Sequence, residues 1–206
     1  ASLSVLLVEH LPQPPRRVPG FPDEAFHRGE VPMTKQEVRA AILGKLSVRP
    51  GETVYDVGAG TGSVGIELAR LSPLVRVYAI ENAPQALDLI EQNRGRFGVY
   101  NLTVVPGTAP DIFDEQDLPV PDAVFIGGSK GRMGDIIRTV CQKNPSVRLL
   151  VSAIALETLQ QTLDACKQEG LTQIQVTQIA VSRTRPAGQL HLLMAQNPVF
   201  LIQASR

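Results

Sequence analysis

Thr53-Val54-Tyr55-Asp56-Val57-Gly58-Ala59-Gly60-Thr61-Gly62-Ser63-Val64-Gly65 decides the reading of this chain. A β-branched, apolar run breaks at an acid and then at closely spaced glycines. That is a strand running into a ligand-binding turn. Such a turn needs positive φ and brings backbone N–H groups close to a ligand, and glycine permits both. Ser63 to Leu71 has helical spacing, so the turn ends at a helix N-terminus.

Two ligands fit this pattern. Gly60, Gly62 and Gly65 spell G-x-G-x-x-G, and Glu81 follows at about the distance that a dinucleotide fingerprint requires. Asp56 argues against a dinucleotide, because a pyrophosphate would bring a second negative charge beside this anion. S-adenosylmethionine suits the site better. Its sulfonium and ammonium would lie near Asp56, and its ribose hydroxyls could donate to Glu81 at the end of the next strand. The order D-x-G-x-G-x-G, then a strand ending in an acid, resembles the first motifs of class I methyltransferases. A structural glycine turn with incidental acids is the bland alternative.

The 206-residue chain is long enough for one α/β domain with a full core. Lys+Arg and Asp+Glu number 20 each, so no global field attracts nucleic acid. Cys141 and Cys166 lack metal-ligand spacing and read as free thiols, which fits the reducing cytoplasm. No apolar run reaches the length of a membrane span, and Leu3 to Val8 lacks the basic flank of a signal peptide.

Ala1 to Val8 reads as a strand, and the prolines from Pro12 to Pro19 read as an extended linker. Thr34-Lys35-Gln36-Glu37 predicts a capping box for a helix to about Leu46. Strands are expected near 53–57, 75–80, 102–105, 121–126 and 147–152, with helices near 63–71, 84–97, 131–143 and 155–168. This alternation implies a parallel sheet covered on both faces. Thr172 to Val181 and Leu190 to Ile202 read as strands that pair antiparallel through a 182–189 loop. A mostly parallel α/β sheet closed by a terminal antiparallel hairpin is the class I, Rossmann-like methyltransferase arrangement.

Ligands of such sheets bind at the carboxyl ends of the strands. After the third strand comes Pro106-Gly107-Thr108-Ala109-Pro110, where a base could lie on exposed backbone; a plain turn is the alternative. After the fourth comes Gly127-Gly128-Ser129-Lys130-Gly131-Arg132, where a methyl acceptor must approach. Its glycines and cations could cradle carboxylates or phosphates, or could be a flexible linker with solvated charges.

Four strings carry a more specific resemblance: Gly20-Phe21-Pro22-Asp23-Glu24-Ala25-Phe26, Pro32-Met33-Thr34-Lys35-Gln36-Glu37-Val38-Arg39, Asp56 to Val64, and Pro121-Asp122-Ala123-Val124-Phe125-Ile126-Gly127-Gly128-Ser129. Together they resemble the decarboxylating precorrin methyltransferases of cobalamin biosynthesis, from about residue 20 to Asn197-Pro198-Val199-Phe200. Residues 1–19 resemble the last strand and linker of the tetrapyrrole methylase domain fused upstream in the two-domain form, leaving 20–206 as the methyltransferase domain. The resemblance implies methyl transfer from S-adenosylmethionine to carbon 15 of a precorrin or cobalt-precorrin macrocycle, with loss of carbon dioxide from the ring C acetate. S-adenosylhomocysteine is the implied product. Losing carbon dioxide leaves electron density that conjugation can deliver to the attacking carbon, so orientation is the main demand on the protein. The sequence accordingly offers no paired catalytic carboxylates and no nucleophile–base pair.

The candidate cofactor residues are Thr34, Asp56, Gly58, Gly60, Thr61, Gly62, Glu81, Gly107, Thr108 and Ala109. Those for the macrocycle are Gly128, Ser129, Lys130, Arg132, Arg183 and Arg185; Arg183 and Arg185 could meet its carboxylates through charge-assisted bonds, and an ordinary solvated loop explains them equally well. His191 lies beside the same loop. The fifth strand ends in Ser152-Ala153 where the family tends to have an Asn-Ala pair, which weakens any substrate role carried onto Ser152. Family resemblance also implies a homotetramer, with Phe21, Phe26, Val199 and Phe200 buried either between subunits or within one. An RNA or protein methyltransferase, or a nicotinamide-nucleotide sensor domain, is the competing function.

Overall fold

The computed structural model describes residues 19–206, so the strand expected at residues 1–8 and most of the linker after it lie outside the described residues. The chain enters through a short 3-10 turn at Asp23–Ala25 and helix α1 (Gln36–Leu46). Alternation then follows as the apolar runs require: β1 (Thr53–Val57), α2 (Ser63–Ala69), β2 (Arg76–Glu81), α3 (Pro84–Arg96) and β3 (Leu102–Pro106). A short α4 (Ile112–Glu115) absent from the sequence reading precedes β4 (Ala123–Ile126), α5 (Met133–Lys143), β5 (Arg148–Ala153) and α6 (Leu156–Gln168). Four further strands close the chain: β6 (Gln173–Ile179), β7 (Ser182–Ala187), β8 (Leu190–Ala195) and β9 (Val199–Ser205).

The main sheet has the order β3-β2-β1-β4-β5-β9-β6. From β3 to β5 all pairs are parallel, and β9 lies antiparallel between β5 and β6. Successive side chains of a strand face opposite layers. Tyr55 and Val57 therefore join a core with Phe113, Ile136, Ile137 and Val140, whereas Val54 joins the core of Ile42, Ile66, Leu68 and Ile90. The chain runs outward from β1 through β2 to β3 and then returns to the other side of β1 for β4. This reversal opens a crevice at the carboxyl ends of β1 and β4, where open α/β sheets bind ligands.

One expectation about the carboxyl-terminal strands needs correction. The 190–202 stretch is two strands, not one, because Pro198 lacks an N–H and separates β8 from β9. Residues 182–189 are mostly strand as well, so β7 and β8 form a separate hairpin that leaves the sheet, while β6 pairs with β9. Arg183 and Arg185 thus sit on β7 and His191 on β8. Of the four apolar residues whose burial the sequence left open, Phe21 and Phe26 pack on Phe97 within the subunit at centroid distances of 5.3 and 4.7 Å, and Val199 and Phe200 rest on the two cores.

The segment before α1 is held by charge. Arg39 is fully buried, and its Nε donates to Glu67 at 2.6 Å and its Nη1 to Asp23 at 3.1 Å. It also donates to the carbonyls of Phe21 and Thr34, while Glu67 accepts the N–H groups of Gly20 and Phe21. The expected capping box does not form: the first turn of α1 has no side-chain cap, and Glu37 pairs with Arg183. Replacing Arg39 by Met should destabilise the domain by about 3–5 kcal/mol, because buried Glu67 loses its counter-charge and Asp23 one of its two. Urea unfolding of the variant checks this, and a midpoint equal to the wild type's would remove the cluster from the stability argument.

Candidate functional site

A cavity of about 860 Å³ opens at the carboxyl ends of β1, β2, β3 and β4. Its floor is the glycine turn. At Gly58, φ is +70° and a Cβ would lie 2.8 Å from backbone atoms of Gly128, so this glycine lets the β1 and β4 loops touch. The turn then reaches α2, whose Gly65 N–H donates to Asp56 Oδ2 at 2.8 Å.

Asp56 is 1% exposed, and its other oxygen, Oδ1, has no hydrogen-bond partner among the described residues. Thr61 Oγ1, buried in the same cavity wall, is also without a partner among the described residues. Buried polar atoms are normally paired, and exceptions of this kind call for a ligand. Burial pushes the Asp56 carboxyl up to about 7, Glu81 adding a smaller push in the same direction against the Gly65 N–H bond. A donor carrying positive charge would satisfy Oδ1 and favour the carboxylate.

Glu81, at the end of β2, is already engaged with backbone. Its Oε2 accepts Gly60 N–H at 3.0 Å and its Oε1 accepts Asn82 and Ala83 N–H at 2.8 and 3.0 Å. A carboxylate has about four acceptor sites, so acceptor capacity remains beside the cavity. These bonds lock the glycine turn to the β2 loop. Next to them, Asn82 Nδ2 donates to Thr108 Oγ1 at 2.9 Å, and Lys130 donates to Asn82 Oδ1.

Most of the sequence candidates come together here. Thr34, Asp56, Gly58, Gly60, Thr61, Glu81, Gly107, Thr108 and Ala109 line the cavity, and so do Gly128, Ser129 and Lys130. Gly62 does not; it is the left-handed N-cap of α2, with Ile90 about where a Cβ would point. Arg132 pairs with Asp111 at 2.5 Å, outside the cavity wall. Arg183 pairs with Asp23 at 2.9 Å and with Glu37, and Arg185 is exposed on the hairpin. Sequence reasoning missed Lys35, Asn82, Ile154 and Gln196, which also line the cavity. The capping reading hid Lys35, although its string carried the family resemblance.

The residues fit S-adenosylmethionine: an unpartnered carboxylate oxygen for the cationic end, an acid at the end of β2 for the ribose, and the backbone at 107–109 for the base. Residues 24–206 match the family described as precorrin methyltransferase domain. The chain belongs to the precorrin methyltransferase family. It is 40% identical to the cobalt-precorrin-6B C(15)-methyltransferase (decarboxylating) of Salmonella typhimurium, over 89% of this chain and 95% of that protein. Among solved structures, precorrin-6Y C5,15-methyltransferase from Geobacter metallireducens superposes with a TM-score of 0.86 at 35% identity, covering 92% of this chain and 100% of that one. Precorrin-8w decarboxylase from Methanobacterium thermoautotrophicum gives 0.83 at 33% identity, covering 90% and 100%. The fold of this family is the class I S-adenosylmethionine methyltransferase fold, which the sheet order and the switch-point cavity reproduce.

The Asp56 shift sets a pH dependence. Between about 4 and 7 the folded protein holds a proton on Asp56 that the unfolded chain, at its ordinary carboxyl value, has lost, so this group's contribution to stability falls as pH rises through that window. A cationic ligand binds the ionised form. Affinity for S-adenosylhomocysteine, which keeps the ammonium, should therefore rise about tenfold from pH 6 to pH 8, and Asp56→Asn should flatten the profile. Calorimetric titration at both pH values tests it; parallel profiles for wild type and variant would dismiss the assignment.

Proposed function

We propose that this protein transfers a methyl group from S-adenosylmethionine to carbon 15 of a precorrin macrocycle and releases the ring C acetate carboxyl as carbon dioxide, in cobalamin biosynthesis in the cytoplasm. The observation that carries the reading is the pair of unpartnered buried oxygens, on Asp56 and Thr61, in the switch-point cavity. When bound, S-adenosylmethionine supplies an electrophilic methyl on a positively charged sulfur. Asp56 stabilises that cationic end, Glu81 accepts from the ribose, and Gly107 to Ala109 hold the base. Thr34 lines the same cavity.

The macrocycle enters over Gly128 and Ser129. Of the cations expected to grip its peripheral carboxylates, Lys130 stands on the cavity wall, and Lys35 joins it there. Arg132 and Arg183 are committed to protein carboxylates, which turns them toward bracing loops. Positioning of a reactive substrate beside a sulfonium is the chief catalytic contribution.

Glu81→Gln should weaken S-adenosylhomocysteine binding by about 1–3 kcal/mol through the lost charged acceptor. Calorimetry reads this directly, and unchanged affinity would remove Glu81 from the ribose. The activity itself is tested by incubating the protein with S-adenosylmethionine and precorrin or cobalt-precorrin substrates. Mass spectrometry should show gain of one methyl and loss of one carbon dioxide.

We also infer a homotetramer, joined through the β7–β8 hairpin. Leu190, Leu192, Leu193 and Met194 are exposed there, at 67%, 48%, 72% and 47%. An apolar strand that leaves its own sheet favours a second copy of itself. Leu192→Ser with Leu193→Ser should shift sedimentation to smaller species while the cofactor still binds. Wild type that sediments as a monomer at micromolar concentration would end this reading.

A further inference from the structure

The rim of the cavity is not uniform, and the difference falls along the sequence after β5. Cations reach the wall from the start of α1, as Lys35, and from the loop after β4, as Lys130. The loop after β5 brings none: Ser152, Ala153, Ile154, Ala155 and Leu156 precede the first charged residue, Glu157. Ile154 lines the cavity and is nonetheless 63% exposed, and Leu156 beside it is 67% exposed. Neither belongs to the two buried cores, in which Ala153 is the last member before the loop turns outward. β5 pairs directly with β4, so this apolar rim stands next to the Gly127-Gly128-Ser129 loop, whose Lys130 reaches away to Asn82 after β2.

The chemistry requires such an asymmetry. A carboxylate that leaves as carbon dioxide passes a localised charge into a delocalised system, so water or a cation on it stabilises the ground state more than the transition state. The non-reacting carboxylates have the opposite need. They are held best by cations, which orient the ring without touching the reacting centre.

We propose that Ile154, with Leu156 beside it, receives the reacting acetate and excludes water from it, a role that rests on the function proposed above. The bond between the acetate methylene and its carboxylate carbon breaks, and the electron pair stays on the macrocycle. Conjugation delivers that pair to carbon 15, where it forms the new bond to the methyl group as the methyl–sulfur bond breaks. The sulfonium's positive charge and the carboxylate's negative charge cancel, so no outside electron or net proton is needed. Ile154 supplies neither. It sets the polarity in which the first bond breaks.

A cation placed at this position gives a signature that a packing role cannot. Ile154→Lys should bind the macrocycle more tightly, by about threefold or more, and release carbon dioxide more slowly in a single turnover at saturation, by about tenfold or more. Ile154→Asn should slow release with little change in macrocycle affinity, and Ile154→Val should keep the wild-type rate. The S-adenosylhomocysteine dissociation constant, measured on every variant, should stay at the wild-type value, which shows that fold and cofactor site are intact. Wild-type release rates in the Lys and Asn variants would overturn the assignment. So would weaker macrocycle binding at an unchanged rate, which would make Ile154 a docking contact for another edge of the ring. Wild type that binds S-adenosylhomocysteine yet releases no carbon dioxide from either macrocycle would instead sink the proposed function, and this role with it.

Discussion

The buried Arg39 guanidinium ties together parts of the chain that share no strand. It spans from Glu67 on α2 to Asp23 in the entry turn, and takes the carbonyls of Phe21 and Thr34 on the way. Residues 31–35 form one wall of the cavity and α2 begins at its floor, so the distance between wall and floor is set through one side chain. Isolated buried charge is costly, but here every arm of the guanidinium meets an acceptor. Asp23 also accepts from Arg183 at 2.9 Å, which extends the same network to the root of the hairpin. A planar, five-donor group is suited to this junction; a lysine would leave several acceptors without donors.

Against that braced frame, the cavity floor is left incompletely satisfied. Asp56 and Thr61 each hold a buried oxygen without a partner among the described residues, and burial pushes the Asp56 carboxyl up to about 7. Such atoms lower the stability of the free protein and raise the gain on binding a charged donor. Glu81 has the reverse arrangement: its three backbone contacts build the turn, and its remaining acceptor capacity faces the ligand. Structure and recognition therefore share this residue, whereas Asp56 divides them between its two oxygens.

Charge is distributed by the same logic at the mouth of the site. Loops after β3 and β4 are cross-linked by Arg132 and Asp111, and the loops after β2 and β4 by Lys130 and Asn82. These contacts are exposed, so each contributes little to stability; Lys130, whose partner is a neutral amide, is the one that can turn to an anionic substrate. The loop after β5 carries no charge and no such cross-link to its neighbours among the described residues. The mouth thus carries Lys35 and Lys130 from two segments, while the loop after β5 contributes the aliphatic Ile154.

How much of this the sequence determined by itself depends on the range of the interaction involved. Local signals decided the alternation of strands and helices, the parallel sheet, the glycine turn with Asp56 and Glu81, and the loops at 107–109 and 128–130. Each is a matter of spacing within a few residues or of a strand's carboxyl end. The family strings added the reaction, since motif identity carries chemistry that periodicity does not. Long-range pairing was out of reach. Whether Glu37 caps its own helix or meets Arg183 is a contest between local and distant partners, and only the folded chain shows that Arg183 prevails. The same holds for Arg132, which looked free to bind substrate until Asp111 was brought beside it. β9 lies between β5 and β6 because tertiary packing offers it two edges, while Pro198 merely separates it from β8. Ile154 has no motif or spacing around it that sets it apart in the sequence. Only the tertiary structure shows it uncovered at the cavity rim, because exposure there depends on how the loop after β5 leaves the sheet.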